Sequence, residues 1–195
     1  MVLQSPRGEN LLKLHLGCGK NYIPGFIHID LADFPHIDYK NDIGDLSMFD
    51  DNSVDLIYSS HSLEYFDREE AKEVLKEWYR VLKPEGKLRL AVPDFGAIVR
   101  VYLKHGDLNH RGILGPLYGK MAIKTSEDEK IIYHKTAYDF ESLKKLLGAV
   151  GFQNIRTYDW RETIHKNYDD YSQSYIPHMD KEHGLLISLN VEAIK

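Results

Sequence analysis

The chain has a single cysteine, Cys18, among its 195 residues, so no intrachain disulfide can form and a reducing compartment, the cytoplasm, is the expected setting. No apolar run approaches the roughly 20 residues that a membrane-spanning helix requires. The opening MVLQSPRGEN lacks the apolar core of a secretory signal, and no membrane partner is expected. Positive charge is in deficit, with 25 Lys and Arg against 30 Asp and Glu for a formal net charge of −5. Broad nucleic-acid surfaces bind by neutralising phosphates, so nucleic acid is not an expected partner either. Internal repeats, a cysteine pair and an HExxH spacing are also missing. No metal site is therefore expected, although His178, Asp180 and His183 are of ligating types.

The remaining sequence has ordinary globular composition and is long enough for one domain, 1–195, with a substantial core. Leu11 to Leu16 and Phe26 to Ile29 read as buried strands, with Pro24-Gly25 turning the chain before the second. Asp38 to Ile43 fits a short third strand leading to Asp42, and Val54 to Ser59 a fourth, after the turn cluster Asp50-Asp51-Asn52-Ser53. Ala71, Val74, Leu75, Trp78 and Leu82 recur at helical spacing, Pro84-Glu85-Gly86 stops that helix, and Lys87 to Val92 forms a fifth strand. A second helix is expected from Phe95 to Lys104. Asp139 suits the N-cap of a third, whose Leu143, Leu146, Leu147 and Val150 share a face and whose stop is Gly151. Gln153 to Trp160 and Leu185 to Ala193 supply two last strands. Strands alternating with helices predict a three-layer α/β fold. Two stretches without a clear period, 105–138 and 161–183, are expected to cover an active site; the first includes the polar run Ser126 to Lys130.

The most informative stretch is LKLHLGCGKNYIPGFIHIDL, Leu12 to Leu31. Its glycines allow a sharp turn and a close approach to a ligand, while a carboxylate ending the next strand can accept from both ribose hydroxyls. A dinucleotide fingerprint wants a third glycine and about 20 residues before the acid. Here Lys20-Asn21-Tyr22 follows Gly19, and Asp30 lies only 13 residues after Gly17. So short a crossover leaves little room for a pyrophosphate-binding helix, and an adenosine ligand without pyrophosphate is favoured over NAD.

The ordered set HLGCG, HIDL, NDIGDLSMFDDNSVDLIYSSHSLEYF and RVLKPEGKLRLAVPDF resembles a class I S-adenosylmethionine-dependent methyltransferase over Leu11 to Phe95. KTAYDFESLKKLLGAVGF adds weaker support. The resemblance implies a Rossmann-like doubly wound sheet, mostly parallel with an antiparallel last strand, with S-adenosyl-L-methionine as cofactor and methyl transfer as activity. By position it places Leu16, Gly17, Cys18 and Gly19 at the methionine part of the cofactor, Asp30 on the ribose and Leu31 against the adenine. Asp42 accepts from the adenine amino group, the Ile43 and Gly44 backbone faces the ring, and Ser59, Ser60 and His61 border the sulfonium. His15 departs from the pattern: many members carry an acid there, and a neutral imidazole does not replace its charge. The Asn/Asp-Pro-Pro-Tyr element of relatives that methylate nucleic-acid amino groups is absent, and YSSHSL stands in its place. A small-molecule acceptor is therefore ahead.

Such a displacement depends largely on positioning, but a hydroxyl acceptor must also lose its proton to a base, whereas a neutral amine attacks directly. His61, beyond the fourth strand where ligands of open α/β sheets bind, and His134 in YHKTAY are the candidate bases; each could instead order its loop. Tyr168, Asp170, Tyr171, Tyr175 and His178 make a polar-aromatic loop suited to a carbohydrate-like acceptor, and equally to a homodimer contact. A non-catalytic nucleoside-binding scaffold that uses this loop for association is the alternative. Cys18 has no activating base nearby in sequence and is not expected to be a nucleophile.

Overall fold

The computed structural model describes residues 11–109, 112–124 and 128–195. The expectations for the opening ten residues, and for Thr125 and Ser126 within the first cover stretch, lie outside them. Seven strands form the main sheet: β1 (Lys13–Leu16), β2 (Ile27–Asp30), β3 (Tyr39–Lys40), β4 (Val54–Ser60), β5 (Leu82–Pro93), β8 (Gln153–Thr157) and β11 (Ser188–Ile194), in the order β3-β2-β1-β4-β5-β11-β8. β1 is parallel to β2 and β4, and β4 to β5. β11 runs antiparallel between β5 and β8. This is a Rossmann-like, mostly parallel α/β sheet with its last strand reversed.

Helices α1 (Arg68–Val81) and α4 (Phe140–Val150) pack on one face of that sheet. Each starts on a capping box, Asp67 with Glu70 and Asp139 with Ser142, which satisfies amides that the helix itself cannot. Ala71, Val74, Leu75, Trp78 and Val81 of α1 and Leu143 and Leu147 of α4 are buried against Leu14, Leu16, Ile29 and Ile57. Full burial of each large aliphatic side chain contributes about 1.5–3 kcal/mol. The Trp78 indole Nε1 also donates to the Ile43 carbonyl at 2.7 Å, which ties the loop after β3 to α1. Helix α2 (Phe95–His105) buries Ala97, Ile98 and Val101 against Ile113, Ile176 and Ile187. Among the described residues, no helix is long and apolar enough to cross a membrane.

The other face has a different character. His28, His15 and Tyr58 are direct cross-strand neighbours on β2, β1 and β4, and Phe26 closes over His15 with its ring 6.2 Å away. Irregular chain after β8 covers this row: His165 stacks on Tyr58 with ring centroids 3.9 Å apart, and the Tyr58 hydroxyl donates to Asp170. Burial, with help from His28, His165 and His36, holds the His15 imidazole well below its usual range. Burial brings His165 down to about 3.

Three local features differ from the expectations. The third strand is only Tyr39–Lys40. β5 follows α1 directly, and Pro84-Glu85-Gly86 makes a kink within it at Glu85, φ +62°, in place of a loop before it. The first cover stretch contains a short helix α3 (Leu114–Tyr118) and a hairpin of β6 (Met121–Lys124) and β7 (Glu129–Ile132). The hairpin strands are four residues each and mostly exposed, so no burial period marks them in sequence. A two-residue pair joins β9 (Tyr175–Ile176), in the second stretch, to β10 (Leu185–Leu186), which falls within the expected last strand and is set apart from β11.

The buried histidines predict the pH dependence of stability. A folded-state imidazole held below its ordinary value takes up no proton where the unfolded chain does. The contribution of these histidines to stability is therefore full above about pH 6.5 and is lost as pH falls from there toward 3. Thermal melts between pH 7 and 4.5 should show a falling Tm, and His165→Phe should flatten that slope by about one proton. Identical slopes for variant and parent would contradict this.

Candidate active site

At the carboxyl end of β1 the chain enters a left-handed turn, with φ +64° at Gly17 and +52° at Gly19. Gly17 lies directly against the turn after β4: a β-carbon there would sit 2.1 Å from Ser62 Oγ. At Gly19 a β-carbon would meet nothing within 4 Å, so that glycine faces open space. Asp30, ending β2, faces this turn. Its Oδ2 accepts from Gly19 N and its Oδ1 from Ala32 N, each at 2.8 Å. Both oxygens are thereby fixed, and each keeps a further lone pair. The Cys18 thiol is buried and pushed up to about 12 by burial and by Asp30 beside it, so it is inert as a nucleophile.

Leu31 is exposed beyond Asp30. In the loop after β3, Asp42 is exposed and its Oδ1 accepts from Gly44 N at 2.8 Å, leaving Oδ2 free. The Ile43 carbonyl is engaged by Trp78, and its side chain is buried. Ser59 and Ser60, the last residues of β4, point to opposite faces of the sheet: the Ser59 hydroxyl is buried with no hydrogen-bond partner, whereas Ser60 shares the face of Tyr58 and interacts with Asp170 there, away from the expected sulfonium position. His15 does not face the glycine turn. Its imidazole lies in the ring cluster on the other face, because strand alternation turns it away from Leu14 and Leu16.

The chain leaves β4 through His61, a non-glycine residue held at φ +53° and so in a strained conformation of the kind that collects at functional sites. A 3-10 turn, Leu63–Tyr65, follows. It carries Glu64, whose carboxylate is essentially buried and whose two oxygens have no hydrogen-bond partner. Glu64 Oε1 lies 3.6 Å from His61 Nδ1 and 3.6 Å from His134 Nε2. The two histidines singled out by sequence thus meet on a carboxylate that the sequence reading missed. The one available signal was an isolated acid inside the apolar run HSLEYF, three residues after His61.

His134 is positioned by its backbone, whose neighbours Lys135 and Thr136 donate to the Glu64 carbonyl at 2.8 and 3.3 Å. It also depends on Gly119: a β-carbon there would come within 1.8 Å of His134 Nε2. The remaining ring nitrogens are engaged as well, His134 Nδ1 with the Pro116 carbonyl at 2.9 Å and His61 Nε2 with Ser188 Oγ at 3.0 Å. Burial lowers His61 to about 3, depresses His134, and raises the Glu64 carboxyl to about 8.

A cleft of about 1130 Å³ opens beside these residues. His61, Tyr65 and His134 form its inner end. Tyr171, Tyr175, Ile176, Pro177, His178 and Ile187 line one side, and Gly112, Gly115, Pro116, Gly119, Lys120, Met121 and Ala122 another. Tyr171 approaches His61 with ring centroids 5.4 Å apart. Of the five loop residues expected to meet an acceptor, Tyr171, Tyr175 and His178 are brought to the cleft, and Tyr168 and Asp170 are not. Asp170 is buried on the other face, where it accepts from the Tyr58 hydroxyl and from Ser172 N, and Tyr168 packs against Tyr58 and its apolar neighbours. Both side chains are spent on closing that face. The hairpin arm crosses toward the first half of the site, with the Lys124 carbonyl accepting from Asp33 N at 3.2 Å.

Comparison with known proteins places this geometry in context. A family model described as a methyltransferase domain matches residues 24–90. An uncharacterized methyltransferase of Schizosaccharomyces pombe is 30% identical over 149 residues, covering 70% of this chain and 57% of that protein. The chain thus spans little more than half the length of that relative. A SAM-dependent methyltransferase structure from Archaeoglobus fulgidus superposes with TM-score 0.56 at 16% identity, over 95% of this chain and 86% of the other. The 1,6-didemethyltoxoflavin-N1-methyltransferase of Burkholderia thailandensis, solved with its acceptor and S-adenosylhomocysteine, gives TM-score 0.54 at 12% identity, over 97% and 72%. At these identities the likeness to solved structures is one of fold.

The contact of Gly17 with Ser62 generates a prediction. Gly17→Ala introduces both a steric overlap and a strained φ, and should lower unfolding stability by roughly 1–3 kcal/mol in a denaturant titration. Adding Ser62→Gly should recover the overlap but leave a deficit of about 1 kcal/mol from the positive φ. A Gly17→Ala protein as stable as its parent would refute the contact.

Proposed function

Because this chain belongs to the class I S-adenosylmethionine-dependent methyltransferase family, we propose that it transfers a methyl group from S-adenosylmethionine to a small, largely apolar acceptor seated in the cleft that begins at His61. The observation that carries the reading is the pairing of the Gly17–Gly19 turn with an Asp30 carboxylate already fixed by two backbone amides. A ribose diol fits the two lone pairs left on Asp30, and the open space at Gly19 fits a ligand passing close to the backbone. Leu31 and the free Asp42 Oδ2 suit an adenine ring and its amino group, and Cys18 is a buried spacer. The orphaned Ser59 hydroxyl at the end of β4 supports a polar occupant there. Bound at this turn, S-adenosylmethionine supplies an electrophilic methyl group.

The chain's own contribution is to orient and to exclude water. The stretches 105–138 and 161–183 supply most of the cleft lining and serve, in this reading, as its cover. Tyr65, Tyr171 and Tyr175, with Met121, Ile176, Pro177 and Ile187, offer aromatic and aliphatic surface. Two of the hydroxyls are already engaged, Tyr175 with Trp160 and Arg161 and Tyr65 with Gly119 O, which leaves Lys120, Tyr171, Ser174 and His178 as the polar side chains among a mainly apolar lining. A flat apolar molecule is better matched by such walls than the hydroxyl-rich, carbohydrate-like acceptor expected from the loop composition, because each buried hydroxyl needs a partner.

Calorimetry with ligand-free protein should detect binding of S-adenosylhomocysteine, and Asp30→Ala should weaken it by about 1–3 kcal/mol, roughly 5- to 150-fold. Unchanged affinity in the variant would remove Asp30 from the site, and no binding to the parent would end the proposal.

A further inference from the structure

The hydrogen-bond geometry around Glu64 fixes where protons lie. Asn190 Nδ2 donates to the Ser172 carbonyl at 2.9 Å, which turns Asn190 Oδ1, a pure acceptor, toward Ser188. The Ser188 hydroxyl must therefore donate to Asn190, at 3.1 Å, and accept from His61. That requires a proton on His61 Nε2 and, in a neutral ring, leaves Nδ1 bare. At His134 the partner is the Pro116 carbonyl, so Nδ1 carries the proton and Nε2 is bare. The two bare nitrogens are the two that face Glu64 Oε1, each at 3.6 Å.

A carboxylate between two bare nitrogens would be three acceptors turned on one another in a closed space; among the described residues no other residue's N–H bonds to either Glu64 oxygen, and the pull of Glu64's own backbone amide toward the charged form is smaller than the opposing effect of burial. The other titratable groups with an electrostatic influence from Glu64 are Tyr65, whose hydroxyl donates to the Gly119 carbonyl, and Tyr138, whose buried hydroxyl has no partner. Neither supplies positive charge. A single proton on Glu64 discharges the carboxylate and gives one of the two bare nitrogens a donor.

We propose that Glu64 is a positioning residue that works as a neutral carboxylic acid, its one proton facing the two bare nitrogens and available to one ring at a time, His61 Nδ1 or His134 Nε2, while the outer nitrogen of each ring stays engaged by Ser188 and Pro116 so that neither is turned to the cleft. Burial acts in the same sense on all three groups, raising the acid and lowering both imidazoles. His61 and His134 are then walls of the cleft and not bases, although their sequence positions had suggested proton removal. The molecule in the cleft must bring its nucleophilic lone pair already free, as a neutral ring nitrogen or a group ionised in solution does. This second statement rests on the methyl-transfer reading, whereas the proton assignment does not.

Nitrogen-15 NMR of protein labelled at histidine, recorded without cofactor from pH 5.5 to 9.5, tests the assignment; spectra of His61→Gln and His134→Gln identify the signals. The expected result is a protonated Nε2 at His61, a protonated Nδ1 at His134, no imidazolium at either between pH 5.5 and 7, and one common transition between about pH 7 and 9 as Glu64 loses its proton. Glu64→Gln, whose amide still donates, should keep both tautomers and lose the transition. An imidazolium at either residue near pH 7, the opposite tautomer at His134, or a transition that persists in Glu64→Gln would overturn the proposal. Should Glu64→Gln fail to fold, the tautomers and the common transition of the parent protein decide the question alone. Because no cofactor is present, failure here leaves the calorimetric test of methyl-donor binding untouched.

Discussion

Gly17 pressed against Ser62 joins the two halves of the site. The turn after β1, which carries Gly19 toward Asp30, and the turn after β4, which carries His61 and Glu64, meet at a point where only a hydrogen atom fits. Parallel pairing of β1 with β4 brings the strand ends side by side, and the left-handed backbone at Gly17 and at His61 lets both turns fold over that edge. Without the close approach the glycine turn at Asp30 and the cleft at His61 would be separate features. With it they are neighbouring parts of one edge of the sheet, where open α/β sheets hold their ligands.

The cleft side is built around burial of a carboxyl group. Glu64 binds the returning segment through its backbone carbonyl and faces both histidines through its side chain, so one residue anchors the turn and the arm that closes over it. An ionised carboxylate with no donors in such a place would be costly, and the protein avoids that cost by proton placement in preference to a salt bridge. A reactive group that needs its proton removed finds no free base at this end of the cleft. In the proposed methyl transfer the walls serve to orient the acceptor, and orientation is what a displacement at carbon most requires.

Much of this was legible in the sequence, for identifiable reasons. Strands β1, β2 and β4 and helices α1 and α4 have strong periods or clear caps, and Asp139 and Gly151 mark the ends of α4 where expected. The glycine turn and Asp30 are close enough in sequence to be read together. Glu64 was hidden because its meaning depends on His134, 70 residues away, and on the arm between. His15 looked like a missing acid until the sheet register set it beside His28 and Tyr58 in a closed row of rings. Asp170 and Tyr168 looked like acceptor contacts because composition cannot tell which face of the sheet a loop will cover. The β6–β7 hairpin, short and solvent-exposed, left no apolar pattern to read.

The most direct measurement of the central claim is a crystal structure of the protein with S-adenosylhomocysteine. Both ribose hydroxyls are expected on Asp30, the adenine beside Leu31 and Asp42, and the sulfur at the end of β4 facing the cleft between His61 and Tyr171. A ligand bound elsewhere, or one whose sulfur points away from that cleft, would contradict that claim.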